Sequence, residues 1–183
     1  MGDHDTELMT RAQRGDDDAF RELFDRNYKR AVGVAYRSLG DLDLAEDIAT
    51  EAFARIYESR HSFKASAKFT TYLYRTVVNL SINAAKRRLI VREECLDESV
   101  TPASRDADPS EQVHATELAR RVRNAVLALP ANQRIALILT RYEGLSYQSA
   151  AEAMRVSVGA LESLLHRAKA NLRKALADQP ETG

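Results

Sequence analysis

Apolar residues return every three or four positions along almost the whole chain and no stretch alternates as a strand does, so the pattern predicts an all-α protein. Glu7 to Gly15 reads as a short helix. Asp16 to Leu39 reads as a long one with an acidic first turn, closed by Gly40, and Phe20, Leu23, Phe24, Tyr28, Val32, Ala35 and Tyr36 form its core stripe. Leu42 to Ser59 gives a third helix, with Leu44, Ile48, Ala52, Phe53 and Ile56 inward. After the loop "RHSFKASAK" a fourth runs from Lys68 to Arg88. At about 100° per residue, Phe69, Leu73, Thr76, Val77, Leu80 and Ala84 of this helix share one face. These four helices can share one core.

The period breaks between Glu93 and Gln112, where "EECLDESVTPASRDADPSEQ" offers little to bury and reads as an acidic, flexible linker. Helical spacing then returns in "EQVHATELARRVRNAVLALP", stopped before Pro130, and in "ANQRIALILTRYEG", closed at Gly144. Two further helices follow, the first capped by Ser146 and the second by Ser157. The expected architecture is two small helical domains, 1–92 and 113–183, joined by a linker at 93–112.

Charge follows the same divisions. Met1 to Glu58 holds eight Lys or Arg against fourteen Asp or Glu, whereas the thirty-four residues from Ser59 to Arg92 hold eight basic residues and no carboxylate. Glu93 to Gln112 is acidic again, and Val113 to Ala177 has ten basic residues against four acidic ones. Net charge is zero, so it is the segregation that points to separate partners for separate surfaces. The acidic N-terminus and the lack of a long apolar run predict neither signal peptide nor membrane span, and a cytoplasmic location. The single Cys95 excludes an internal disulfide, and four scattered His give no metal-ligand spacing, so no cofactor or metal is expected.

Two segments carry candidate chemistry. On the fourth helix Tyr72, Arg75, Asn79, Asn83 and Lys86 line a second face, followed by Arg87 and Arg88. An aromatic can stack on a base, amides can read base edges and cations can hold phosphates, the combination suited to an unstacked single strand. Near the C-terminus a short helix, a tight turn and a longer basic helix make a helix-turn-helix, whose second helix enters a major groove. Ala150 and Ala151 allow close crossing, and Val158, Leu161, Leu165, Ala168 and Leu172 anchor that second helix. Ser157, Glu162, Ser163, His166, Arg167 and Lys169 are left outward, with Arg173 and Lys174 beyond. Reading a duplex at one end and holding opened bases at the other suits a protein that helps melt DNA at a chosen place.

"DLDLAEDIATEAFARIY", "FKASAKFTTYLYRTVVN" and "LPANQRIALILTRYEGLSYQSAAEAMRVSVGALESLLHRAKANLRK" together resemble, in order and spacing, the extracytoplasmic-function sigma factors of bacterial RNA polymerase. The resemblance covers nearly the whole chain. It implies a factor that binds core RNA polymerase and directs initiation at promoter DNA, without catalytic residues, metal or nucleotide of its own. Glu46, Asp47, Glu51, Phe53 and Arg55 would then dock on the polymerase. Phe63, Lys64, Tyr72, Arg75, Asn79 and Asn83 would open and read the minus-ten element, with Lys86, Arg87 and Arg88 on its backbone. Ser157, Glu162, Ser163, His166, Arg167 and Lys169 would read the minus-thirty-five duplex. An anti-sigma partner is expected as well. The chain departs from the family pattern at "TYLY" for "TWLY", at "KASAK", which lacks a glycine, and at "SVGALESLLHRAK" for "SVGTVKSRLSRAR", where Glu162 and Leu164 replace two cations. The alternative is a helix-turn-helix transcriptional regulator that leaves sigma in place; the carboxylate-free block argues against it, since a sensing or dimer domain has no use for cations and aromatics there.

Overall fold

In the computed structural model, which describes residues 4–64, 68–94 and 117–177, every regular element is a helix. The expected linker, apart from Glu93 and Glu94, lies outside the described residues, as does Cys95. Four helices form the first unit: α1 (His4–Gln13), α2 (Asp17–Leu39), α3 (Leu42–Glu58) and α4 (Phe69–Glu94). The second unit holds α5 (Glu117–Leu127), α6 (Ala131–Leu137), α7 (Tyr147–Met154) and α8 (Val158–Ala177). A π-turn at Ile138–Tyr142 ends α6.

The helix boundaries follow from local chemistry. Asp16 accepts the Ala19 N–H at 3.0 Å and Asp41 the Leu44 N–H at 3.0 Å, capping α2 and α3. Between them Gly40 takes φ 73° and donates its N–H to the Tyr36 carbonyl, the left-handed cap that glycine adopts without strain. Arg88 of α4 reaches the other oxygen of Asp41, tying the start of α3 to the end of α4. Helix α4 continues to Glu94, two residues into the expected linker.

Leu8, Met9, Leu23, Ile48, Ile56, Phe69, Leu73 and Val77 pack the first unit, as the periodicity of its helices predicts. That core does not stop at the unit boundary. It runs on through Tyr74, Val78, Ile135, Ile138, Leu139, Ala150, Ala151 and Leu161, because α7 packs along α4. Helix α4 therefore has a second buried row, Tyr74, Val78 and Ser81, that its sequence pattern did not single out. Thr76 and Ala84, expected inward, are half-buried, and the Thr76 hydroxyl donates to the Tyr72 carbonyl.

Phe53 stands at the centre of the α2–α3 seam, 2 % exposed, with its ring 4.9 Å from Phe24 and 6.3 Å from Phe20, both edge-on. Removing a ring from such a site leaves a cavity that packing cannot fill. Phe53→Ala is therefore expected to lower stability by about 3–5 kcal/mol, measured by urea unfolding.

The two capping carboxyls make acid stability testable. Asp16 and Asp41 are held below the ordinary 3.8, first by the helix N–H each accepts and then by Arg11 and Arg88. A depressed value in the fold adds stability above the unfolded value and loses it as pH falls through the folded one. The double variant Asp16→Asn, Asp41→Asn keeps both caps without the charge. Its stability should fall less steeply than the parent's below about pH 4, followed by circular dichroism.

Candidate nucleic-acid interface

The two ends of the connection from α3 to α4 are pinned to α1 by three hydrogen bonds. Gln13 donates to the carbonyls of His61 (2.8 Å) and Phe63 (3.1 Å), and the Phe69 N–H donates to Thr6 Oγ1 (3.0 Å). Phe63 is buried and its ring lies 5.6 Å from that of Tyr72. The Tyr72 hydroxyl shares a 2.9 Å hydrogen bond with Ser59 Oγ, and the Arg75 guanidinium sits 5.0 Å from the centre of its ring. The aromatics at this end are thus assembled into a supported wall, and Phe63 in particular is a packing residue, not a free stacking face. Lys64 beside it is exposed.

Beyond the wall, Asn79, Asn83, Lys86, Arg87 and Arg88 are all exposed; the first three with half-buried Arg75 make the ridge expected along one side of α4, Arg87 stands at its edge and Arg88 lies round the helix from it. Two amides without a competing partner among the described residues precede the cations. Arg88 differs from the others because it already holds Asp41.

On α3, Glu46, Asp47, Glu51 and Arg55 are exposed and form an acidic face, with Glu51 and Arg55 paired at 2.5 Å. Phe53 does not belong to that face. Its burial corrects the expectation that its side chain meets a partner: it supports the helix from behind.

The helix-turn-helix is built as the sequence predicts. Ser146 Oγ accepts the Ser149 N–H at 3.1 Å to open α7, and Ser157 Oγ accepts the Ala160 N–H at 3.1 Å to open α8. Between them Arg155 takes φ 55°, a left-handed conformation that lets Val156 N–H reach the Ala151 carbonyl at 3.0 Å. Leu161 and Ala168 anchor α8, with Val158, Leu165 and Leu172 half-buried. Glu162, Ser163, His166, Arg167 and Lys169 project outward, the first four around a shallow hollow floored by Gly159. Leu164, which replaces a cation of the family pattern, is half-buried against the core.

One cluster was not foreseen. Glu143, just after the π-turn, has a side chain only 6 % exposed; it accepts from the Tyr74 hydroxyl at 2.6 Å and Arg37 at 3.2 Å and forms an ion pair with Arg30 at 3.3 Å, all three in the first unit. Burial, then the neighbouring carboxylate, push the Tyr74 phenol well above its ordinary 10, so it is a permanent donor. Arg37 also lies 5.3 Å from the centre of the Tyr142 ring. A signal existed in the sequence, since Glu143 is one of only four carboxylates between Val113 and Ala177, but nothing local says what it faces.

Comparison with known proteins bears directly on these surfaces. Residues 23–89 match the Sigma-70 region 2 family and residues 119–172 the Sigma-70 region 4 family. The chain is 33% identical to the ECF RNA polymerase sigma factor SigW of Bacillus subtilis, over 93% of this chain and 95% of that one. It is 33% identical to the RNA polymerase sigma-H factor of Pseudomonas aeruginosa, over 95% and 94%. Among solved structures, CnrH in complex with the cytosolic domain of CnrY superposes with a TM-score of 0.72 at 23% identity, covering 97% of this chain and 100% of that one. Sigma factor RpoE of Bartonella quintana, in complex with the anti-sigma factor NepR, gives 0.71 at 20% identity, covering 88% and 98%.

The different surroundings of Arg87 and Arg88 separate their effects. Arg87→Ala should reduce the slope of log affinity for promoter DNA against log salt by about one unit. Arg88→Ala should reduce it by less, because Asp41 already neutralises that guanidinium. Salt titrations of DNA binding by the polymerase-bound protein measure both.

Proposed function

The chain belongs to the extracytoplasmic-function sigma factors, which bind core RNA polymerase and direct it to promoters, and we propose that its two helical units divide that task between them. The first unit, 1–92, docks on polymerase and opens the minus-ten element. The second, 113–183, reads the minus-thirty-five duplex. The observation that carries this reading is the exposed ridge of α4, Asn79, Asn83, Lys86 and Arg87, in a segment with no carboxylate from Ser59 to Arg92. Amides on a fixed helix can hydrogen-bond the edges of a base once it has left the stack, and the cations behind them hold the strand. Tyr72 and Phe63 shape the wall where that ridge begins.

Glu46, Asp47, Glu51 and Arg55 on α3 supply the polymerase contact, a charged face kept rigid by the aromatic seam beneath it. On α8, Ser157, Glu162, Ser163, His166, Arg167 and Lys169 supply the duplex contact. Glu162 is suited to accept from a cytosine amino group and Arg167 to donate to guanine or phosphate. On this reading the factor contributes no catalytic residue of its own and acts in the cytoplasm beside polymerase. Among the described residues no helix is long and apolar enough to cross a membrane and no three His, Cys, Asp or Glu are grouped to hold a metal. An anti-sigma factor is the proposed inhibitory partner, supported by the RpoE–NepR complex of the same fold. A regulator acting without replacing sigma is not favoured, because both sigma segments match in order.

Reconstitution tests the assignment. Added to bacterial core polymerase, the protein should co-elute with it and open labelled DNA from its own upstream region. Asn79→Ala should keep co-elution and lose most of the opening, whereas reversing the charges of Glu46, Asp47 and Glu51 should abolish co-elution. Loss of co-elution with Asn79→Ala, or full opening by the charge-reversed protein, would refute the division of roles.

A further inference from the structure

We propose that Glu143 is a clasp that holds the two helical units together in the unbound factor, and that polymerase captures the factor only after this clasp has parted. The proposal rests on the division of promoter reading given above. Elements centred at minus ten and minus thirty-five lie 25 base pairs apart by their names, or about 85 Å at about 3.4 Å per base pair. A compact chain of this length has a radius of gyration of about 16 Å, so two faces on it are no more than about 40 Å apart. With α7 packed on α4, the ridge of α4 and the outward side of α8 cannot reach both elements. The units have to separate, and the twenty residues from Glu93 to Gln112 can span up to about 70 Å when extended.

The α7 side of the seam is thin. The buried residues of α7 are Ala150, Ala151 and Ala153, side chains that bring little apolar area. On α4, Ser81 shares a face with Tyr74 and Val78, and its buried hydroxyl has no hydrogen-bond partner among the described residues. Such an orphan weakens the closed state, since opening gives it water. Beside this packing stands one carboxylate that accepts from Tyr74 and Arg37 of the other unit and pairs with its Arg30. Arg30 and Arg37 are 52% and 40% exposed, so water can take over their solvation when the clasp opens. The carboxylate is thus a buried polar link across the seam whose release leaves no cation stranded in a core.

Small-angle X-ray scattering on the full chain, with core-polymerase binding measured in parallel, tests this. Glu143→Ala should enlarge the radius of gyration, leave helix content unchanged by circular dichroism, and tighten the apparent Kd for polymerase about fivefold, in proportion to the open fraction gained. Tyr74→Phe, which removes one donor and keeps the ring, should shift both readings in the same direction by less. Two results would overturn the clasp: both variants as compact as the parent, or expanded variants that bind polymerase no more tightly. Absence of polymerase binding by parent and variants alike would instead overturn the sigma assignment, and the scattering would still decide whether Glu143 holds the units together.

Discussion

Everything in this molecule depends on α4 having to satisfy three surroundings at once. Phe69, Leu73, Val77 and Leu80 close the core of the first unit, Tyr74, Val78 and Ser81 turn toward the second, and the ridge from Arg75 through Asn83 to Lys86 is left to water. A helix has only 360° to divide, and two apolar or half-polar faces leave a narrow strip for ligand chemistry. That strip is correspondingly stiff, because packing on both flanks fixes the helix against rotation. It also explains why no carboxylate occurs there: any acidic side chain would fall either in a core or among the cations.

The charged face of α3 is organised differently. Helix α3 is thin on its inner side, with Ala45, Ala49 and Ala52 buried, and it gains its anchorage from aromatic rings. Phe20, Phe24 and Tyr28 of α2 converge with Tyr57 around Phe53, and the Tyr57 hydroxyl donates to Asp17 at 2.8 Å. Small residues let α3 approach closely while the rings lock its angle. The charged outer face can then vary in detail without loss of position.

Local signals were legible and distant ones were not. Asp16, Gly40, Ser146 and Ser157 each act within a turn of themselves, and the helix ends they predicted are present. The outward residues of α8 were legible because periodicity alone separates them from Leu161 and Ala168. Phe53 was assigned two incompatible tasks, core and docking, and packing decided for the core. The second buried row of α4 escaped notice because Tyr74 and Ser81 are polar, and only the approach of α7 makes them interior. Glu143 escaped for the same reason: its partners lie 69, 106 and 113 positions away along the chain.

The π-turn at the end of α6 has a consequence for how this family member can change. Its Glu143 N–H bonds back five residues to the Ile138 carbonyl at 3.1 Å, where an α-helix would bond back four. In effect the turn contains one extra residue. Five residues thus fill the turn that four would fill in an α-helix, so one residue can be lost there with a return to α geometry while Glu143 keeps its place before Arg30, Arg37 and Tyr74. Length changes at this point are absorbed by the type of turn, and the contact between the two halves survives them.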